Sequence, residues 1–273
     1  MPNYQDLSLL IAMGLYFLAS VLLYCWAGRQ QHAWRRAAIV CTFAGAGFHA
    51  LVFWHQWNLP GQADVSLLSL MSLCALVIVL LLCVSVFTRD NLFDAGLVAL
   101  PLTILILLLE WLLPRQVITL DHASTGTSIH VISSILAFGF LSIASVYALF
   151  AGLIDHFLRS HHLNSLVRTL PPLEVLERLL FRLIAAGFIL LSISLLSGLA
   201  FVSDLFAQHL VHKTGLSILA WLVFGLLLFG RWRYGWRGRK AVRLCLAGIA
   251  LLLLSYFGSK LVLENLLGRS WQL

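Results

Sequence analysis

The sequence runs to 273 residues, of which 61% are hydrophobic and 11% charged, with a mean hydropathy of +0.95. A soluble domain has no use for so much apolar surface, and the chain has neither βαβ alternation nor a glycine-rich nucleotide loop. The formal charge of +7 is not the mark of a nucleic-acid binder, because the basic residues sit in short turns between apolar runs.

An apolar run of about twenty residues crosses a bilayer as a helix. Eight such runs follow one another: 7–28, 37–57, 65–87, 92–113, 128–158, 181–206, 214–230 and 241–263. The fold class is therefore all-α, a polytopic integral membrane protein of eight transmembrane helices. It forms a single transmembrane domain over 1–273, with an N-terminal four (7–113) and a C-terminal four (128–263). The first run is expected to stay in the mature protein. Its flank, MPNYQD, carries Asp6 and no Lys or Arg, and no small-residue cleavage site follows.

Fourteen of the eighteen basic residues fall at 29–36, at Arg89, at 159–182 and at 231–243, which is every second connection. The positive-inside rule then puts those turns in the cytoplasm, against anionic lipid, and both termini on the outer, periplasmic side of a bacterial inner membrane. Cys25, Cys41, Cys74, Cys83 and Cys245 all lie in apolar runs without a C-x-x-C pair, so they read as small buried hydrophobes.

Within the fourth run, Asp94 lies near the inner start, where it can snorkel to water, and Glu110 near the outer end. Pro101 is expected to break that helix near its middle. The connection 155–182 contains Pro171 and Pro172, which exclude one continuous helix. Glu174 and Glu177 then suit a helix N-terminus. A short amphipathic interfacial piece is predicted before the sixth run.

Histidine is the side chain that stands out. His49 lies inside the second run, four residues after Gly45, a spacing that lets a neighbouring helix or a planar ligand come close. Its ring needs a partner at that depth: either a hydrogen bond to a Ser or a carbonyl on another helix, or a ligand. His130 opens the fifth run, and Ser134, Ala137 and Ser145 continue its face as a small, polar stripe that should meet other helices. The same two readings are open for it. His209 and His212 fall in the connection before the seventh run. They share a face if that segment is helical and diverge if it is extended, and the plain reading is a wet loop. Lys260, late in the eighth run, either pairs with Glu264 at i+4 or meets a ligand carboxylate.

Several stretches resemble the cytochrome c assembly family of the CcsA/CcmC type. They are LLFRLIAAGF at 179–188 and LSG at 196–198, AWLV at 220–223, RYGWRGRK at 233–240 and YFG at 256–258, together with His130-Val131. With His49 and the WRR at 34–36 before the second run, the YpjD/HemX-like inner-membrane branch fits best. The resemblance implies a protein that binds heme b non-covalently and assists heme delivery in cytochrome c biogenesis without being an enzyme. By position it implies His49 and His130 as iron ligands. His209, His212 and Lys260 would be further heme contacts, Lys260 at a propionate. It also implies partners among cytochrome c maturation proteins. Regulation of a heme-synthesis enzyme and a transporter component are the alternatives. Where the family's synthetases carry a tryptophan-rich outer loop, this chain reads FAQHLVHK at 206–213, which argues against synthetase activity.

Overall fold

The computed structural model describes residues 4–29, 31–57, 63–64, 67–87, 93–113, 117–118, 125–159, 172–201 and 208–258. The architecture is helical. In chain order the helices are α1 (Tyr4–Arg29), α2 (His32–Trp57), α3 (Leu67–Ser85), α4 (Gly96–Leu112), α5 (Thr125–Arg159), α6 (Leu173–Phe201), α7 (Gln208–Tyr234) and α8 (Arg239–Leu253). A 3-10 turn (Phe93–Ala95) leads into α4, and a π-helical turn (Leu254–Gly258) follows α8. Two two-residue strands, β1 (Ala63–Asp64) and β2 (Val117–Ile118), pair antiparallel, with Ala63 opposite Ile118. They tie the 2–3 and 4–5 connections together, a detail that a purely helical reading lacks.

Among the described residues, seven helices are long and apolar enough to cross a membrane. The eighth predicted run, 241–263, reaches past the described residues. What the described helices leave exposed supports a lipid setting. Phe17, Tyr24, Val40, Trp54, Ile189 and Leu196 are each at least 61% exposed. Large apolar groups on the outside of helix after helix suit hydrocarbon rather than water.

Helices α1 through α4 form one compact unit, and α5 to His156 with α6–α8 form a second. In the first, α1 is the central staff. Leu9, Ala12, Tyr16, Ala19 and Leu23 recur at three- and four-residue steps and are fully buried, so α1 packs against both α2 and α4. Gly45 permits this. A Cβ there would lie 2.8 Å from the Tyr16 ring, whereas one at Gly47 would meet nothing within 4 Å. Gly45→Ala is therefore expected to lower stability by about 1–3 kcal/mol. Gly47→Ala should be neutral or slightly stabilising, since Ala is the better helix former. Thermal unfolding in detergent reads both.

Helices α4, α6 and α2 differ from expectation. Helix α4 runs through Pro101 without a break. A proline removes one backbone hydrogen bond, here the one to Leu97 in the first turn, and membrane helices tolerate such a loss. Helix α6 begins at Leu173, directly after Pro172, and is continuous to Phe201. The acidic residues after the prolines thus stand in the opening of α6 itself, with Glu174 in its first turn, and residues 160–171 of the predicted interfacial piece lie outside the described residues. Asp94, expected to snorkel, accepts a 3.1 Å ion pair from Arg35 of α2, and that guanidinium also lies over the Trp26 and Phe93 rings. Helix α2 consequently starts at His32 rather than 37, because Arg35 works inside the fold.

In the second unit, α8 turns Ala241, Cys245, Ile249 and Leu252 inward at helical spacing. Gly248 faces the ring of buried Phe224 on α7, and Gly187 of α6 faces Leu141 of α5.

Candidate functional site

The chemistry-bearing histidines fall into the two units, and each has its own surroundings. His49 is fully buried on α2. Its Nδ1 is 3.3 Å from the Tyr16 hydroxyl of α1, and its Nε2 is 2.9 Å from Ser72 Oγ of α3. Tyr16 and Ser72 are themselves fully buried. A neutral imidazole has one N–H and one lone pair, and each hydroxyl can serve either. The three side chains therefore satisfy one another, and one ring links three helices. Phe53, one turn on, lies 5.7 Å from the imidazole centroid. In this arrangement both nitrogens are committed, so a metal could bind only after Ser72 or Tyr16 let go.

His130 is different. It sits near the start of α5, half-buried, with Nδ1 2.8 Å from the backbone carbonyl of Ser194 on α6. A carbonyl only accepts, so Nδ1 carries a proton, and in the neutral ring Nε2 then carries the lone pair. This is the tautomer a metal-binding imidazole needs, held by the kind of carbonyl contact that orients ligating histidines. Gly198 makes room for the ring: a Cβ there would lie 3.0 Å from His130 Cε1 and Nδ1. Ser134 and Ser194 share a short hydroxyl–hydroxyl hydrogen bond just below. Of the predicted stripe, Ser134 and Ala137 are buried, while Ser145 bonds back to the Ser142 carbonyl of its own helix.

The polar thread goes on within this unit. Trp221 of α7 donates from Nε1 to Ser192 Oγ of α6 at 2.8 Å and stacks on Phe188, with centroids 5.4 Å apart. Ser217 of α7 meets Ser255 of the π turn at 2.7 Å. The backbone is helical from Gln208, so the segment before the seventh run is not the loop of the plain reading. His209 and His212, three residues apart, share one face of α7. Their side chains, and all of Lys260, lie outside what the structure describes. Among the described residues no group of three or more His, Cys, Asp or Glu side chains is placed to hold a metal ion.

Compared with known proteins, residues 3–267 match the model of the family described as cytochrome C assembly protein. The chain belongs to this family. It is similar to the inner membrane protein YpjD of Escherichia coli strain K12, at 32% identity over 259 residues, covering 93% of this chain and 96% of the relative. It is also similar to an uncharacterized 28.8 kDa protein of Azospirillum brasilense, 34% identical over 157 residues, covering 57% of this chain and 58% of that one. The cytochrome c biogenesis protein CcsA of Prochlorococcus marinus strain NATL1A is 31% identical over 100 residues, 36% of this chain and 32% of the relative. No solved structure matches. Membership together with seven helices of membrane-crossing length and apolarity makes this a multi-pass inner-membrane protein of the cytochrome c assembly family.

Membership implies heme, and the two histidines fit that group unequally. His130 presents an oriented nitrogen lone pair, whereas His49 has both nitrogens engaged. Sequence reasoning finds both histidines but misses Tyr16, Ser72, Ser194 and Gly198. The signal for the last two is Ser194 and Ser197-Gly198 on one face of an otherwise apolar run.

Proposed function

We propose that this protein binds heme b non-covalently through the Nε2 atom of His130 and handles it for cytochrome c assembly, without catalysing a reaction of its own. The observation that carries the reading is the Ser194 carbonyl on Nδ1, which assigns the lone pair of the neutral ring to Nε2. Nε2 of His130 would hold the group, and a bound heme would supply iron there. The chain's own part is to orient the imidazole, seat it against Gly198 and surround it with apolar helices. His209, His212 and Lys260 belong to the same unit and are proposed as further contacts, Lys260 to a propionate. We further propose eight spans, the last being α8 with its continuation, and both termini on the periplasmic side. The alternation of basic turns supports that orientation.

The test is a reduced visible spectrum of the protein purified from heme-replete cells. Wild type is expected to show a Soret band, and His130→Ala to hold at least about tenfold less heme, a loss of the size that follows damage to a metal site's ligand set. Added imidazole should restore part of the band. A colourless wild type that refuses hemin, or a His130→Ala spectrum identical to wild type, overturns the reading.

A further inference from the structure

The turn between α7 and α8 is more elaborate than a passive connection needs. Gly235 and Gly238 have φ of +66° and +62°, a region that side chains avoid. Between them Trp236 folds back. Its backbone N–H donates to the Gly230 carbonyl at 3.1 Å, its ring covers Gly230 where a Cβ has no room, and it stacks on Tyr234. Two carboxylates hold the turn from the protein side. Glu177 Oε1 accepts the Gly238 N–H at 2.9 Å, and Asp155 accepts from Arg239 Nε at 3.0 Å. Arg231 lies over the Phe181 ring at 4.8 Å.

The exposed surface of the turn is left cationic. Arg233, Arg237, Lys240 and Arg243 are exposed, and the sequence has no acidic residue between Asp204 and Glu264. Arg239 and Lys240 stand in the first turn of α8, where the helix dipole disfavours positive charge. Beside them Trp232 is 83% exposed and Tyr234 66%, at the end of a helix of membrane-spanning length. Orientation in the membrane needs only the number of charges. Exposed basic side chains carried on a turn that Glu177 and Asp155 hold in place, flanked by exposed aromatic rings, suit an anion that also carries an apolar body.

We propose that the α7–α8 turn is a binding site for the phosphate headgroup of an anionic phospholipid. Arg233, Arg237, Lys240 and Arg243 hold the phosphate, and Trp232 and Tyr234 lie along the glycerol and upper acyl chain.

The experiment uses the full-length protein in nanodiscs of phosphatidylcholine alone or with added phosphatidylglycerol. Thermal unfolding and lipid retained through delipidation are the readouts. Phosphatidylglycerol is expected to raise the unfolding temperature and to be retained in preference to phosphatidylcholine. Arg237→Gln and Arg243→Gln should each weaken retention about fivefold, the size expected for one basic residue at a charged bilayer surface, while Arg237→Lys keeps most of it. Heme content in the same samples should not change, which separates this site from the one at His130. Three results overturn the proposal: equal behaviour of wild type in both lipids, an equal loss on Arg36→Gln, or the same stabilisation from inorganic phosphate in phosphatidylcholine. The wild-type comparison stands even if a variant fails to insert.

Discussion

His49→Ala is expected to destabilise the first unit more than any other single side-chain truncation there, by roughly 3–5 kcal/mol. Two costs add. Removing a fully buried ring leaves a cavity between tightly packed helices. It also strands the Tyr16 hydroxyl and Ser72 Oγ, both at 0% exposure, without the partner that served them, and an unpaired buried hydroxyl costs about 1–3 kcal/mol. Polar groups in membranes often find substitute partners, which is why interhelical bonds there typically contribute only about 0.6 kcal/mol. A ring that bridges three helices leaves little room for substitution. His49→Gln should recover much of the loss, since its amide offers a donor and an acceptor at similar separation. The pair of variants also separates two roles. A stable His49→Gln protein with an unchanged heme spectrum marks His49 as a bridge between helices. A stable His49→Gln protein that has lost its Soret band marks it as an iron ligand. Unfolding in detergent and the visible spectrum, taken on one preparation, give both readings.

The same residue illustrates what a sequence can and cannot say. That an imidazole at this depth needs a partner follows from transfer energetics alone, and a serine on another helix is one of the partners to expect. Which serine is not legible, because the register between α2 and α3 is set by side-chain packing along their whole length. Tyr16 is invisible for the same reason. Apolarity locates the helices, and it misplaces their starts where polar side chains work inside the fold. Helix α2 begins five residues before its apolar run because Arg35 is engaged by Asp94. Helix α6 begins eight residues before its run because Glu177 is buried on the Gly238 N–H. A hydropathy window ends at a charge, whereas a helix ends where its backbone hydrogen bonds end. At His130, the polar stripe through Ser134 is legible, but the carbonyl of Ser194 is not. Every residue has a carbonyl, and only the packing of α5 on α6 selects one.

Glycine poses the same problem, and it leads to the second large effect. Gly248→Ala is expected to lower stability by about 1–3 kcal/mol, and Gly248→Leu by more, although an isolated helix would gain from either change. The reason is Phe224. Its ring is fully buried, and a Cβ at position 248 would stand 2.6 Å from Cζ and 2.8 Å from Cε2. A phenyl ring has no flexible end to move aside, so α7 and α8 must separate or the ring must leave its rotamer. Packing of this kind is a main force between helices in lipid, where no hydrophobic gain draws them together. The coupling can be measured directly. Phe224→Leu alone should be mildly destabilising, but in the Gly248→Ala background it should recover stability, so that the double variant loses less than the two singles summed. Strict additivity would mean that the ring and the glycine do not meet, and the close α7–α8 packing would be wrong. Gly215, also on α7 but with nothing within 4 Å of an added Cβ, is the control: Gly215→Ala should leave the midpoint unchanged or slightly raised. Because α8 begins at the basic turn, a Gly248 variant that loosens α7 from α8 should also weaken phosphatidylglycerol retention, whereas the visible spectrum reports whether the disturbance reaches His130.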